Sequence, residues 1–396
     1  MRSLPAYVSL GLLVAVGAAC SAEHAPIFTE LDVGTADTGG GFGSDGLVLD
    51  DTGTFALDGS DDTDPGDGRF SGGDAACAKS EAAAIKPPVD IIVSIDQSGS
   101  MSDDIANVKA NVNKLSDFLK KTGLDYRVVM VAQPGTGTYS VCVPPPLGAA
   151  ACGAENKPIF KQINQNVQSW DSLKLVLATY DKAPGPWSDV LRTGAVKAFI
   201  PITDDNSNPC TSSTGCGITA VDFDKGLLAK PGGQFGTAAK RNYVVYPIMG
   251  APAYPAESPK CGTNAVNTGP EYIALAKLTK GKWFPICLKD FGPVFEEIAK
   301  TLATKVACEL TVPPPPTGEK LDPDKVNVVW TPTGGKSEDV LQDKSKPCDA
   351  GANGWQYSPD GTKILLCGTA CAKAQADLGS KLTVEFGCST KVKPPA

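Results

Sequence analysis

The stretch VDIIVSID at 89–96 sets five Val and Ile residues with scarcely a polar break between them. A strand that faces water on one side alternates apolar and polar residues, so an unbroken run of this length reads as buried on both faces. Such strands belong to parallel sheets covered by helices. YRVVMVAQ (126–133), AFIPITDD (198–205), NYVVYPIMG (242–250) and KWFPICL (282–288) have the same character. Helical periodicity lies between them. SDDIANVKANVNKLSDFLKKTG (102–123) places Ile105, Val108, Val112, Leu115, Phe118 and Leu119 on one face. Asp103 and Asp104 sit in its first turn, Lys120 and Lys121 in its last, and Gly123 just beyond, as the helix dipole and a glycine stop favour. DSLKLVLATYDK (171–182), GPEYIALAKLTKG (269–281) and FGPVFEEIAKTLATKV (291–306) are further helices. Strand and helix alternate, which predicts an α/β class with a doubly wound, mostly parallel, Rossmann-like sheet.

The proline-rich TVPPPPTGEK (311–320) marks a boundary. Beyond it KVNVVW, TKILLC and KLTVEFGC read as short strands, so residues 310–396 are expected to form a small disulfide-rich β unit behind an α/β domain at 76–309.

In an open α/β sheet, ligands gather at the carboxyl ends of the strands. Asp96, Ser98 and Ser100 follow the first strand, and Asp204 ends another more than a hundred residues later. Two carboxylates and two hydroxyls are hard oxygen donors suited to Mg2+, or to Ca2+ or Mn2+, with positions left for water or an incoming acid. Zinc or copper would call for His or thiolate, and the sole His in the sequence is His24.

DQSGS resembles the D-x-S-x-S signature of von Willebrand factor type A (vWA) domains, and TDD at 203–205 is similar to their second acidic loop. The resemblance covers about residues 88–308. It implies that Asp96, Ser98, Ser100 and Asp204 are ligands of a metal-ion-dependent adhesion site, one of whose ion positions accepts a carboxylate from a partner. The family also supplies a Thr from the loop between these segments. NVQSWDSLKLVL offers none there, leaving Ser169 or Ser172 for the hydroxyl.

Plainer readings compete. Ser100 with Asp103 fits a capping box in type, and Ser102 is a capable N-cap. Asp204 in DDNSN fits an Asx turn. Neither accounts for Asp96 and Ser98 on the preceding turn. A serine hydrolase is excluded by the lack of G-x-S-x-G and by His24 standing alone, so no enzyme is expected.

The N-terminus MRSLPAYVSLGLLVAVGAAC carries Arg2, an apolar run and small residues before Cys20, the pattern of an export signal. GAAC resembles the lipobox of bacterial lipoproteins, which implies lipidation at Cys20. Ser21 after it points to the outer membrane, with simple secretion as the alternative. Residues 21–75 are expected to be a disordered acidic linker. The stretch 31–75 holds eleven Asp and one Arg, a local charge of −10 against −8 for the chain, which leaves +2 for the remainder. The acidity therefore belongs to a tether, and the absence of a basic stripe argues against nucleic acid.

Of thirteen Cys, Cys20 reserved for lipid leaves an even twelve, read as disulfides in an exported chain. Spacing suggests Cys142 with Cys152, Cys210 with Cys216, Cys261 with Cys287, and a clasp of Cys77 with Cys308. Cys348, Cys367, Cys371 and Cys388 would pair within the last unit. Spacing does not fix connectivity. The functional expectation is a cell-surface lipoprotein whose vWA domain binds a protein or glycan carboxylate through a metal. The alternative is a structural envelope scaffold with a degenerate, metal-free domain.

Overall fold

The computed structural model describes residues 80–208, 216–314 and 320–394. The expected leader with Cys20, the 21–75 segment, Cys77 and Cys210 lie outside them. In chain order the strands are β1 (Ser80–Ala83), β2 (Val89–Ile95), β3 (Tyr126–Val131), β4 (Phe160–Ile163), β5 (Val196–Ile202), β6 (Tyr243–Val245), β7 (Ile248–Met249), β8 (Phe284–Pro285), β9 (Glu309–Thr311), β10 (Val326–Thr331), β11 (Glu338–Val340), β12 (Gly354–Tyr357), β13 (Lys363–Cys367) and β14 (Lys381–Phe386). The helices are α1 (Ser102–Lys121), α2 (Ser172–Thr179), α3 (Ala220–Leu228), α4 (Pro270–Leu278), α5 (Gly292–Val306) and α6 (Gly368–Ala376).

Seven strands form one sheet in the order β4-β3-β2-β5-β7-β8, with β6 also on β5, and every pairing in it is parallel. The α/β class read from the apolar runs is what the chain adopts. All seven residues of β2 are buried, as are all seven of β5. Alternate residues of β2 serve two cores. Ile91, Val93 and Ile95 pack with Ile105, Val108 and Val112 of α1 and with Phe295 and Ile298 of α5. Ile92 faces Leu173 and Val176 of α2, Phe223 of α3 and Ile273 of α4. Each such fully buried aliphatic side chain contributes about 1.5–3 kcal/mol.

One charge interrupts the apolar run of β2. Asp90 is buried, and Arg192 satisfies it with Nε on Oδ1 at 2.8 Å and its backbone N–H on Oδ2 at 2.7 Å. Its register partner on β5, Lys197, is likewise buried and donates to the carbonyls of Arg192 and Ala195 at 2.9 and 2.8 Å. Burial brings the Lys197 ammonium down to about 8.

Two antiparallel sheets make the β-rich part: β1-β14-β10-β11 and β12-β13-β9. Leu310, Val328, Trp355, Ile364 and Val384 form its core with Ala374 of α6. Pairing of β1 with β14 places the first described strand here, so the α/β part begins after residue 83 rather than at 76. The chain thus enters and leaves the parallel sheet through the same β unit.

Cys142–Cys152 and Cys261–Cys287 are disulfides, as spacing suggested, and Cys348–Cys367 is a bond within the last unit. The proposed Cys77–Cys308 clasp is not formed. Cys308, at the end of α5, bonds Cys371 of α6, because β9 and β13 pair and bring those two segments together. Cys371 therefore does not pair within the last unit as expected. Cys216 and Cys388 are also disulfide-bonded. No helix among the described residues is long and apolar enough to cross a membrane.

Candidate metal centre

Strand order reverses between β2 and β5: the chain runs outward from β2 through β3 to β4, then returns to β5 and outward the other way. This switch point opens a crevice at the carboxyl ends of the two strands, where side chains from both following loops meet. The register Ile95 to Ile202 makes Asp96 and Thr203 neighbours, and the Asp96 N–H donates to Ile202 O at 2.9 Å.

The predicted oxygen donors converge there. Asp96 and Asp204 are both 0 % exposed. Asp96 Oδ1 accepts the Ser98 backbone N–H at 2.8 Å, and Oδ2 accepts the Thr203 hydroxyl at 2.8 Å. Ser100 Oγ donates to Asp204 Oδ1 at 3.1 Å and lies 3.2 Å from Ser98 Oγ. Residues 104 apart in the chain are thus in direct contact. Asp204 Oδ2 is buried without a hydrogen-bond partner.

Neither helix-capping expectation is realised. The N-cap of α1 is Met101, with no side-chain cap bond, and the short 3-10 turn Gly99–Met101 before it has none either. The Ser100 hydroxyl goes across the crevice instead. The Asx-turn reading of Asp204 fails in the same way. Thr203 Oγ1 accepts the Asp205 N–H and Asp205 Oδ1 accepts the Asn206 N–H, so its neighbours make the local turn.

A third loop, between β4 and α2, closes the site. Val167 O accepts the Gln97 N–H at 2.8 Å, and the Trp170 indole N–H donates to Asp205 Oδ2 at 2.8 Å. Trp170 O and Ser207 Oγ approach so closely that a Cβ on Gly217 would lie 2.2 and 2.5 Å from them, so only glycine fits. Ser172 is turned inward, hydrogen-bonded to Ser94 Oγ of β2 at 2.8 Å and 1 % exposed. Ser169, between the Val167 and Trp170 anchors, is half-buried. Its hydroxyl makes no hydrogen bond to Asp96, Ser98, Ser100 or Asp204.

Electrostatics at the crevice is one-sided. Burial pushes Asp96 up to about 6, against the Ser98 and Thr203 hydrogen bonds and with a further push from Asp204. Asp204 is raised by burial, opposed by its Ser100 hydrogen bond. Asp104 of α1 is raised to about 7 by burial and by the fields of Asp204, Asp103 and Asp96. Among the described residues no Lys or Arg comes within ion-pair distance of Asp96, Asp104 or Asp204, whereas the buried Asp90 and Asp224 both have arginine partners. Buried carboxylates without a cation are held at a substantial free-energy cost.

A small, hard cation fits these residues. The donors are oxygen only, one buried carboxylate oxygen lacks a partner, and the negative charge has no counterion on the chain. Among the described residues no group of three or more His, Cys, Asp or Glu gathers to hold a metal, so hydroxyls would have to complete the set. Thr203, Asp104 and Trp170 were not anticipated. Thr203 was open to notice as the hydroxyl beside Asp204, and Asp104 was read only as a dipole partner of α1.

No protein-family model and no curated protein matches the chain. Among solved structures, proximal thread matrix protein 1 from the mussel byssus, in one crystal form, is similar at 16% identity and a TM-score of 0.29, over 58% of this chain and 51% of that one. A second structure of it gives 13% identity and a TM-score of 0.26, over 57% and 47%. The chain spans about half the length of these matches, and likeness this weak assigns neither fold nor function.

Proposed function

We propose that this chain is a cell-envelope lipoprotein that presents a vWA-type domain and binds a partner through a divalent cation, Mg2+ in the first instance, held by Asp96, Ser98, Ser100 and Asp204 with Ser169 as the hydroxyl of the third loop. The observation that carries this reading is the bond from Ser100 to Asp204 across the strand-order reversal, next to a buried carboxylate oxygen with no partner. The cation would balance the buried carboxylates and offer a position to an acidic group of the partner. The chain's own part is to orient: Thr203 and the Ser98 N–H hold Asp96, and Gln97 ties the neighbouring loop through Gln133 and Tyr139.

The loops around the crevice carry exposed apolar side chains: Trp170, Tyr139 and Val266 are 43, 41 and 49 % exposed. Each loop is pinned to the site, the Val266 N–H donating to Asp204 O at 2.9 Å and the Tyr139 hydroxyl to Gly99 O at 3.4 Å. An apolar rim around an acid-accepting position favours a protein partner over a glycan. With His24 as the single histidine, the reading is of a binding module rather than an enzyme.

The second reading, a metal-free envelope scaffold, draws support from the missing Thr and from the raised Asp96 and Asp104, which can be neutral without a cation. The two are separated by capture of envelope proteins on the immobilised chain. The metal reading expects partners retained in Mg2+, released by EDTA and absent with D204N. Retention of the same proteins under all three conditions would leave the scaffold reading.

A further inference from the structure

A cavity of about 330 Å3 lies where the strands of the parallel sheet begin, at the end away from the crevice. Val196, the first residue of β5, lines it, whereas Asp204 follows the last, so roughly 20 Å of strand separates the two places. Its other walls come from the 233–242 loop, the last turn of α5, and the β9–β13 pair. Four of its residues are cationic and one is acidic. Arg241 is committed to Asp224 through two bonds of 2.7 and 2.8 Å, and Lys363 to Glu309 at 2.9 Å. Lys240 and Lys305 remain, and neither ammonium group makes a hydrogen bond or ion pair among the described residues. The buried Lys197 lies on β5 one residue beyond Val196, and adds positive charge near this end.

Lys305 in the last turn of α5 also suits that helix's dipole. That accounts for Lys305 alone. Lys240 belongs to a loop, and both line one concave surface. The loop there is shaped by glycine: Gly233 has φ +60 with open space where a side chain would point, and at Gly236 a Cβ would lie 2.2 Å from Lys240 O. A concave surface carrying two ammonium groups with no carboxylate at ion-pair distance concentrates anions; burial lowers Lys305, and the nearby Glu309 opposes that shift.

We infer that this cavity binds an oxyanion of the phosphate or sulfate type through Lys240 and Lys305, free or as a lipid headgroup. The site is independent of the cation crevice. The test uses the full-length Cys20→Ser chain, so that no acyl anchor contributes, in EDTA. Inorganic phosphate is titrated against sodium chloride at matched ionic strength and read by thermal shift and calorimetry. Phosphate is expected to raise the melting temperature beyond chloride, and K240M/K305M to bind about tenfold more weakly. D204N, which alters the other end of the sheet, retains the response. K240M alone changes an exposed side chain without partners and is expected to show part of the loss if the double variant fails to fold. Flotation with vesicles containing phosphatidylglycerol, against phosphatidylcholine alone, identifies the source: recruitment lost in K240M/K305M assigns a headgroup, and a phosphate response without recruitment assigns a free anion. Equal shifts in phosphate and chloride with no recruitment, or unchanged binding by both variants, would overturn the inference.

Discussion

Replacing Asp204 by Asn should change the sign of its effect on stability with the metal content of the buffer. Asp96 and Asp204 are wholly buried, and Asp204 has one oxygen on Ser100 and one on nothing. In chelator at pH 7.5, an unsatisfied buried acceptor costs about 1–3 kcal/mol, more when charged. Asn keeps the oxygen that Ser100 reaches and removes the charge, but leaves an amide where the orphan oxygen stood, so the net gain is about 1 kcal/mol. Mg2+ at a hundred times its Kd would stabilise the wild type by about 2.7 kcal/mol and the variant hardly at all. At about 2.1 cal/mol/K per residue over the roughly 230 residues of the parallel-sheet unit, 1 kcal/mol is about 2 °C. D204N is therefore expected to melt about 2 °C above the wild type in EDTA and about 3 °C below it in saturating Mg2+, read by circular dichroism. A variant several degrees less stable in EDTA would make Asp204 a structural acceptor, and the reasoning from uncompensated charge would be wrong.

Burial and pairing elsewhere in the fold set three further expectations. Asp96 is raised to about 6, so the stability its neutral form contributes is present below about pH 4 and lost as pH climbs to about 6, a swing of about 3 kcal/mol; a cation takes the proton's place, so the Mg2+ increment in melting temperature should vanish near pH 4 and be full above pH 7, and an increment independent of pH would contradict this. Arg192→Met leaves Asp90 buried and unpaired and should lower stability by about 3–5 kcal/mol in urea unfolding, whereas a loss under 1 kcal/mol would show the pair to be dispensable. Cys308 and Cys371 are 63 residues apart, so the C308S/C371S variant should lose about 4 kcal/mol by loop entropy, and an unchanged urea midpoint would mean that β9–β13 pairing alone holds α5 to α6.

The sheet was legible where burial leaves one solution. β2, β3 and β5 are apolar but for Asp90, Ser94, Arg127 and Lys197, and α1 has a full helical face with dipole partners at both ends, so local pattern and tertiary environment agree. β4 was missed because FKQI is a short edge strand with alternating polarity. α3 was missed too, although Thr219 accepting the Asp222 N–H with Phe223 and Leu227 on one face is a helix start. KWFPICL reads as a full strand, yet only Phe284–Pro285 pairs, because its partner β7 is the two residues Ile248–Met249. β1 could not be foreseen: SEAA has little strand character, and its partner lies about three hundred residues on. At the crevice, the D-x-S-x-S spacing and the strand-final Asp204 were readable because both mark strand ends. Thr203 and the field on Asp104 depend on the register between β2 and β5, which no local stretch of sequence contains.

The proposed function stands or falls on Asp96, Ser98, Ser100 and Asp204 holding one ion at the reversal of strand order. Crystals soaked in Mn2+ and measured for its anomalous signal test it most directly. A single strong peak is expected between Ser98 Oγ, Ser100 Oγ and Asp204, lost in D204N crystals, with a Mg2+ soak giving ligand distances of about 2.1 Å. An empty crevice with manganese bound elsewhere on the chain would contradict it.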